Sequence, residues 1–259
     1  MHKKILNKQK ELVGKEFDTK SCGKCFIVDY KSNKEVTVLF HEPMFAVVCR
    51  MDHLRNGLVY NPYARLTEGV GYIGVGKYSP SNDKEAYTMW QGILIRSYSE
   101  KYLATKPSYE GVTVCDEWHS FQNFAEWCYS QKYFKAKDNN ERPYHLDKDI
   151  LCKGNKLYHP DFCSIVPQFI NSLLVTSKGA RGNHPIGVSY RKIDKKYEAY
   201  YNGSSKRIHL GLFKTETEAF QAYKTAKEAY IKEVAEKWKG KIDDKVYQAL
   251  LEWKVEITD

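Results

Sequence analysis

No stretch of this 259-residue chain approaches the roughly 18 consecutive apolar residues that a membrane-spanning helix requires, so no membrane partner is expected. The opening segment MHKKILNKQKELVGKEF is basic, without an apolar core or a small-residue cleavage site. It does not read as a secretion signal, and a cytoplasmic, reducing location is the expectation. The cysteines lack a pairing pattern. There are seven, an odd number, and Cys49, Cys115, Cys128, Cys152 and Cys163 stand singly, as buried free thiols do. Cys22 and Cys25 form a lone CxxC with no second pair at similar spacing, so a structural zinc is not expected. A hydrophobic content of 42% excludes a disordered chain.

What the chain has is positive charge, unevenly placed. The formal net charge is +9, and residues 178–240 hold 14 Lys and Arg against 7 Asp and Glu, which puts +7 of it in one quarter of the chain. Such a local field suits a polyanion, although a lysine-rich solvated helix face would give the same count.

Hydrophobic periodicity predicts an α+β, multidomain chain. CFIVDY (25–30) and EVTVLF (35–40) flank the turn KSNK, and FAVVCRM (45–51) and NGLVYNP (56–62) add further strands. Residues 12–68 therefore read as a small β-barrel or meander. GVGYIGVG (69–76) spells GxGxxG and comes close to a P-loop, but Tyr78 stands where Ser or Thr would hold magnesium and a Ser-Pro-Ser-Asn turn follows, not a helix; it reads as a flexible connector. The mixed α/β region 69–176 holds apolar stripes of helical period at 85–102 and 120–133, a short strand within 109–118, and a helix over 164–175 interrupted early by Pro167. SKGARGNHP (177–185) is a basic linker. In the third domain, 184–240, strands at 186–192, 197–202 and 206–213 precede a helix over 215–238 whose Thr215 and Glu218 have capping-box spacing. A three-stranded antiparallel sheet packed on one helix follows, and DDKVYQALLEW suggests a final helix.

A sheet covered on one face leaves the other free. Alternation offers Tyr190 or Arg191, then Tyr197, Tyr200, Lys206, Arg207 and His209 for that face, with Lys192 beside them. Arginine and lysine bond phosphates or the acceptor edge of guanine, and a narrow sheet fits the major groove, so double-stranded DNA is the expected partner. The stretch GVSYRKIDKKYEAYYNGSSKRIHLGLFKTETEAFQAYKTA closely resembles the apetala/ethylene-response-factor DNA-binding domain, which also occurs in phage and mobile-element nucleases. YEAYY stands for the usual W-A-x-I, and HLGLFKTETEAFQAYKTA for LGxFxTxEEAAxAYDxAA. The resemblance implies a sheet lying in the major groove with its arginine and aromatic side chains on bases and sugars. Tyr197 and Tyr200 replace the family's usual Trp and aliphatic residue, which puts base preference in doubt.

YHLDKDILCKGNKLYHPDFCSIVPQFIN (144–171) resembles the strand–loop–helix of HNH nucleases. The resemblance implies a divalent metal, magnesium or manganese, held by Asp147, Asp149 and Asn171, with His145 or His159 activating water and Asn155 shaping the loop. The departure is Lys148, which stands where the family places His. Two readings follow: a homing-like, metal-dependent phage endonuclease that cuts or nicks DNA, or a non-cleaving regulatory or counter-defence DNA-binding protein with a degenerate core. The β-rich first domain offers a surface for a protein partner.

Overall fold

The computed structural model describes residues 2–175, 183–203 and 206–259. Helices and strands are mixed along the chain, an α+β architecture, and its contacts divide it into two compact units, Met1–Ser130 and Gln131–Asp259. That division falls inside the central region expected over 69–176.

The first unit begins with a helix, α1 (His2–Leu12), that the sequence reading did not foresee. Leu12 joins the buried core, and the Gln9 side-chain amide donates to the Asp29 carboxylate at 2.9 Å. Strands β1 (Glu16–Asp18), β2 (Lys24–Ser32), β3 (Glu35–His41) and β4 (Met44–Cys49) pair antiparallel in sequential order, a meander. Alternation places Ile27, Val36, Val38 and Phe40 on the inner face, where Met51 and Leu54 of α2 (Met51–Arg55) close the core.

Beyond α2, the glycine-rich segment is a packed strap and not a loose connector. Gly71 lies against two core side chains: a Cβ there would meet Leu94 at 2.4 Å and Trp90 at 2.8 Å. The Tyr72 N–H donates to the His119 carbonyl, and the Phe121 N–H donates to the Tyr72 carbonyl, both at 2.9 Å. Gln122 completes the clamp by donating to the carbonyls of Ile73 (3.2 Å) and Tyr78 (2.9 Å) and accepting from the Tyr78 N–H (3.1 Å). The glycines thus serve close packing. The strap leads into α3 (Lys84–Tyr98), α4 (Glu100–Thr105), β5 (Thr113–Val114) and α5 (Phe121–Ser130). The expected helix over 85–102 breaks at Ser99, whose backbone is extended. Trp90, Ile93 and Leu94 of α3 and Phe121, Phe124 and Cys128 of α5 are fully buried, so the aromatic stripes are core.

The second unit contains β6 (His145–Asp147), β7 (Leu157–Tyr158), β8 (Ser164–Val166) and α6 (Gln168–Leu173). The helix expected over 164–175 is split. Pro167 caps the start of α6, and a residue before proline is driven to extended backbone, so 164–166 pair as β8 with β6 instead. The expected linker over 177–185 and the GSS turn fall largely on 176–182 and 204–205, outside the described residues. Then β9 (Val188–Arg191), β10 (Lys196–Asn202) and β11 (Arg207–Phe213) form an antiparallel sheet with β10 central. The long helix α7 (Glu216–Trp238) follows, opened by a capping box between Thr215 and Glu218, and α8 (Asp244–Glu252) ends the fold.

Helix α7 serves two cores. Its first half packs Ala219, Phe220 and Tyr223 on Val188 and Ala199 of the sheet. Gly187 takes a positive φ of 74° flush against the Tyr223 ring, where a Cβ would overlap the ring at 2.0 Å. Its second half packs Ile231, Val234 and Ala235 against Val166, Ile170 and Leu173, and against Ile242, Val246 and Leu250 around α8. Lys227 lies one turn from each cluster. Burial pushes its amine down to about 8, and its Nζ stands 5.9 Å from the Tyr230 ring centroid.

A lysine pKa lowered on folding means that the protonated form opposes folding at neutral pH, and that this cost is relieved as pH rises from about 8 toward the ordinary 10.5. Lys227→Met should raise the unfolding midpoint at pH 7 by about 2–4 °C, the shift that roughly 1 kcal/mol produces in a chain of this size. Calorimetry across pH should show the advantage shrinking above pH 8. An equal gain at pH 7 and pH 10 would remove the burial argument.

Candidate nucleic-acid interface

The pairing register of β9–β10–β11 decides which side chains share the uncovered face. Lys196, Glu198, Tyr200 and Asn202 alternate on β10. Directly opposite stand Arg191 and Ser189 on β9, and Arg207, His209 and Leu212 on β11. A register shift at Ala199/Tyr200 keeps Tyr200 opposite His209. The other face, carrying Ala199, Tyr201 and Leu210, packs on α7.

Tyr197, expected on the free face with Tyr200, is on the α7 side. It pairs with Tyr190 (ring centroids 5.1 Å apart) and packs against the Val188 and Phe220 cluster. The reason is parity: residues 197 and 200 are three apart on one strand, and period-two alternation sends them to opposite faces. Arg191, Lys192, Lys206, Arg207 and His209 are all exposed at this sheet or its ends.

The sheet face is organised by a carboxylate the sequence reading did not single out. Glu198, in the middle strand, holds His209 Nδ1 at 2.9 Å and a guanidinium nitrogen of Arg207 at 3.5 Å, and accepts from the Ser189 hydroxyl at 3.4 Å. The Arg207 guanidinium carbon lies over the Tyr200 ring, 3.3 Å from its centroid. Arg207 is thus fixed by a cation–π stack below and an ion pair at its side, while half of its side chain stays open to solvent. Arg191 pairs with Asp194 across the β9–β10 turn at 3.0 Å. The signal for Glu198 was available in the sequence as the residue two before Tyr200, on the same face.

Segment 144–171 is arranged differently from the metal site expected of it. Asp147 caps a turn: one carboxylate oxygen accepts from the N–H groups of Asp149 and Ile150, both at 2.8 Å. Burial outweighs these two bonds and holds its carboxyl above the usual range. Lys148, expected to stand where an HNH resemblance would place a histidine, is buried, and its ammonium donates to both Asp149 oxygens (2.9 and 2.8 Å) and to the Asn155 carbonyl (2.6 Å). The Asn155 amide donates to the carbonyls of Lys148 and Leu157 and accepts from the Leu157 N–H. Asp147, Asp149 and Asn155 are therefore brought into one loop-bracing network around Lys148. His145 is exposed on β6. His159 accepts from the Asp161 N–H at 3.2 Å in its own turn, and Asn171 lies half-buried on α6.

These residues do not fit a divalent metal as placed. Asp149 is committed to an ammonium ion, and the Asn155 carbonyl and amide are both engaged. Among the described residues, no three His, Cys, Asp or Glu side chains form a group suited to a metal ion. No protein-family model matches this chain, nor does any curated protein or solved structure.

If Asn155 is a brace, Asn155→Ala should destabilise the second unit by about 2–4 kcal/mol, since it strands two backbone carbonyls and an N–H in a partly buried loop. Urea unfolding followed by tryptophan fluorescence measures this. A loss below about 0.5 kcal/mol would show that the loop does not lean on it.

Proposed function

We propose that the second unit binds double-stranded DNA through the outer face of the β9–β10–β11 sheet and does so without cutting it. The observation that carries this reading is the stacking of Arg207 on Tyr200, beside the exposed cations Arg191, Lys192, Lys196 and Lys206. Three strands spaced about 4.8 Å apart make a ribbon about 10 Å across, narrow enough for a major groove about 12 Å wide. Lysines at the turns contact phosphates and release counterions. Arg207, held over the Tyr200 ring, suits the acceptor edge of a base. Glu198 limits the purely ionic attraction of this face and fixes the direction of the Arg207 and His209 side chains it holds, which favours a chosen sequence over indiscriminate binding. The sequence resemblance of residues 187–226 to the apetala/ethylene-response-factor domain points the same way.

Of the two DNA-directed readings, the non-cleaving one is favoured by the commitment of Asp149 and Asn155 to Lys148. The β6–loop–β8–α6 segment then works as the support on which the second half of α7 rests.

Fluorescence anisotropy with a random-sequence duplex and with duplexes selected from a pool tests the binding. Arg207→Ala should weaken the selected duplex by about 1–3 kcal/mol and relax its preference, whereas Lys206→Ala should weaken all duplexes alike and flatten the salt dependence. Tyr197→Phe, on the α7 side, should leave affinity unchanged. Supercoiled plasmid incubated with magnesium or manganese should stay intact. Nicking that disappears in Asp147→Ala would reinstate the endonuclease reading, and binding indifferent to both salt and Arg207 would remove the sheet face from consideration.

A further inference from the structure

The first unit carries an open sheet edge that the DNA reading leaves unused. Strand β4 ends the meander and pairs with β3 on one side alone. None of its backbone groups makes a further backbone hydrogen bond among the described residues. Its sequence MFAVVC contains neither charge nor proline, the usual devices that keep a bare edge from pairing. Met44 and Val48 are 75% and 63% exposed, so the edge also presents an apolar side.

A second wall faces that edge. After α2 the chain returns past β4 through Leu58, Val59 and Tyr60. This return is anchored at both ends. The Leu58 N–H donates to the His53 carbonyl at 2.9 Å. Fully buried Asn61 donates from its side chain to the Pro43 carbonyl at 2.9 Å, and its own N–H reaches Cys22 Sγ at 3.3 Å. Between Val47–Cys49 and Leu58–Tyr60 runs a groove of about 400 Å³. Exposed Leu58 and Tyr60 line it opposite Val48, and Lys34, Arg50 and His53 stand at its Cys49 end. Arg50 is paired with Asp52 at 2.8 Å, while Lys34 has no ion pair among the described residues, so that end keeps a positive charge.

We infer that this groove captures an extended peptide segment of a partner protein, added as a fifth strand on β4, with alternate apolar side chains on Val48, Leu58 and Tyr60 and an acidic residue beside Lys34 and His53. Strand addition satisfies the bare N–H and C=O groups of β4, and the alternating pockets select the side chains. A second copy of the chain is the competing occupant: its own β4 edge would bring the same Lys34 against Lys34, whereas an acidic segment complements that charge. The basic end selects an acidic segment over a neutral one.

The probe is a random heptapeptide library displayed on phage and selected against the full chain, with Val48→Lys as the counter-target. Val48 is exposed, so that variant should keep the wild-type circular dichroism and melting. Expected are peptides of alternating apolar residues with Asp or Glu near one end. A synthetic copy should lose roughly tenfold in affinity to Val48→Lys and comparably when alternate backbone nitrogens are methylated to block strand addition. Selection of the same peptides by Val48→Lys, selection of basic peptides, or full affinity of the methylated copy would each overturn the proposal. So would wild-type self-association in sedimentation that Val48→Lys abolishes, which would give the edge to a second copy.

Discussion

Helix α7 buries one half of its length on a β-sheet and the other half on a helical core, and the whole second unit depends on that double burial. Tyr223 on one turn and Ile231 two turns later belong to different clusters, yet the same rigid rod fixes both. Helical hydrogen bonding transmits position along this rod with little slack, so the sheet face and the β6–β8–α6 segment are held to one frame. The cluster on the sheet is the smaller of the two, with Phe220 and Tyr223 as its large buried side chains. A sheet of three short strands needs packing against a helix to be stable, and the helix in turn needs an apolar partner along its full buried stripe.

The same economy explains what the charges around residue 148 do. A buried ammonium is tolerated when every donor finds an acceptor, and Lys148 finds two carboxylate oxygens and a backbone carbonyl. Asp147 and Asn155 then terminate the backbone groups of the loop on either side. Side chains that look like a catalytic inventory in one dimension are spent on holding a loop of sixteen residues between β6 and β8 in one shape. On the sheet, by contrast, the polar groups hold one another while staying open to solvent, and that difference in exposure separates a brace from a contact surface.

Much of this was legible in the residue pattern. Strands β2, β3 and β4, the three-stranded sheet, the capping box at Thr215 and the core status of Trp90 and Phe121 follow from period and turn chemistry, whereas β1 was not foreseen and 56–62, expected to add a strand, forms none. Four features escaped for physical reasons. Helix α1 is polar and basic overall, and among its side chains Leu12 alone joins the buried core, so its apolar content is low. The role of GVGYIGVG depends on Trp90 and Gln122, which lie far along the chain and can meet Gly71 and Gly76 only once the fold exists. Tyr197 and Tyr200 were both offered to the free face by alternation, although the odd number of steps between them on one strand puts them on opposite faces. The segment 164–175 was split by Pro167, a rule of local backbone sterics that outweighed its apolar run.

Because α7 is shared, the second unit resists dissection. A fragment spanning 184–240 would keep the sheet and the helix but strip Ile231, Val234 and Ala235 of their cover, leaving an apolar ridge on the far half of a rod in water. Such a piece would cluster through that ridge and mask the behaviour of the sheet. Anyone transplanting the sheet into another protein must carry the chain from Gln131 to Asp259 with it, or redesign the rear of the helix with polar side chains first.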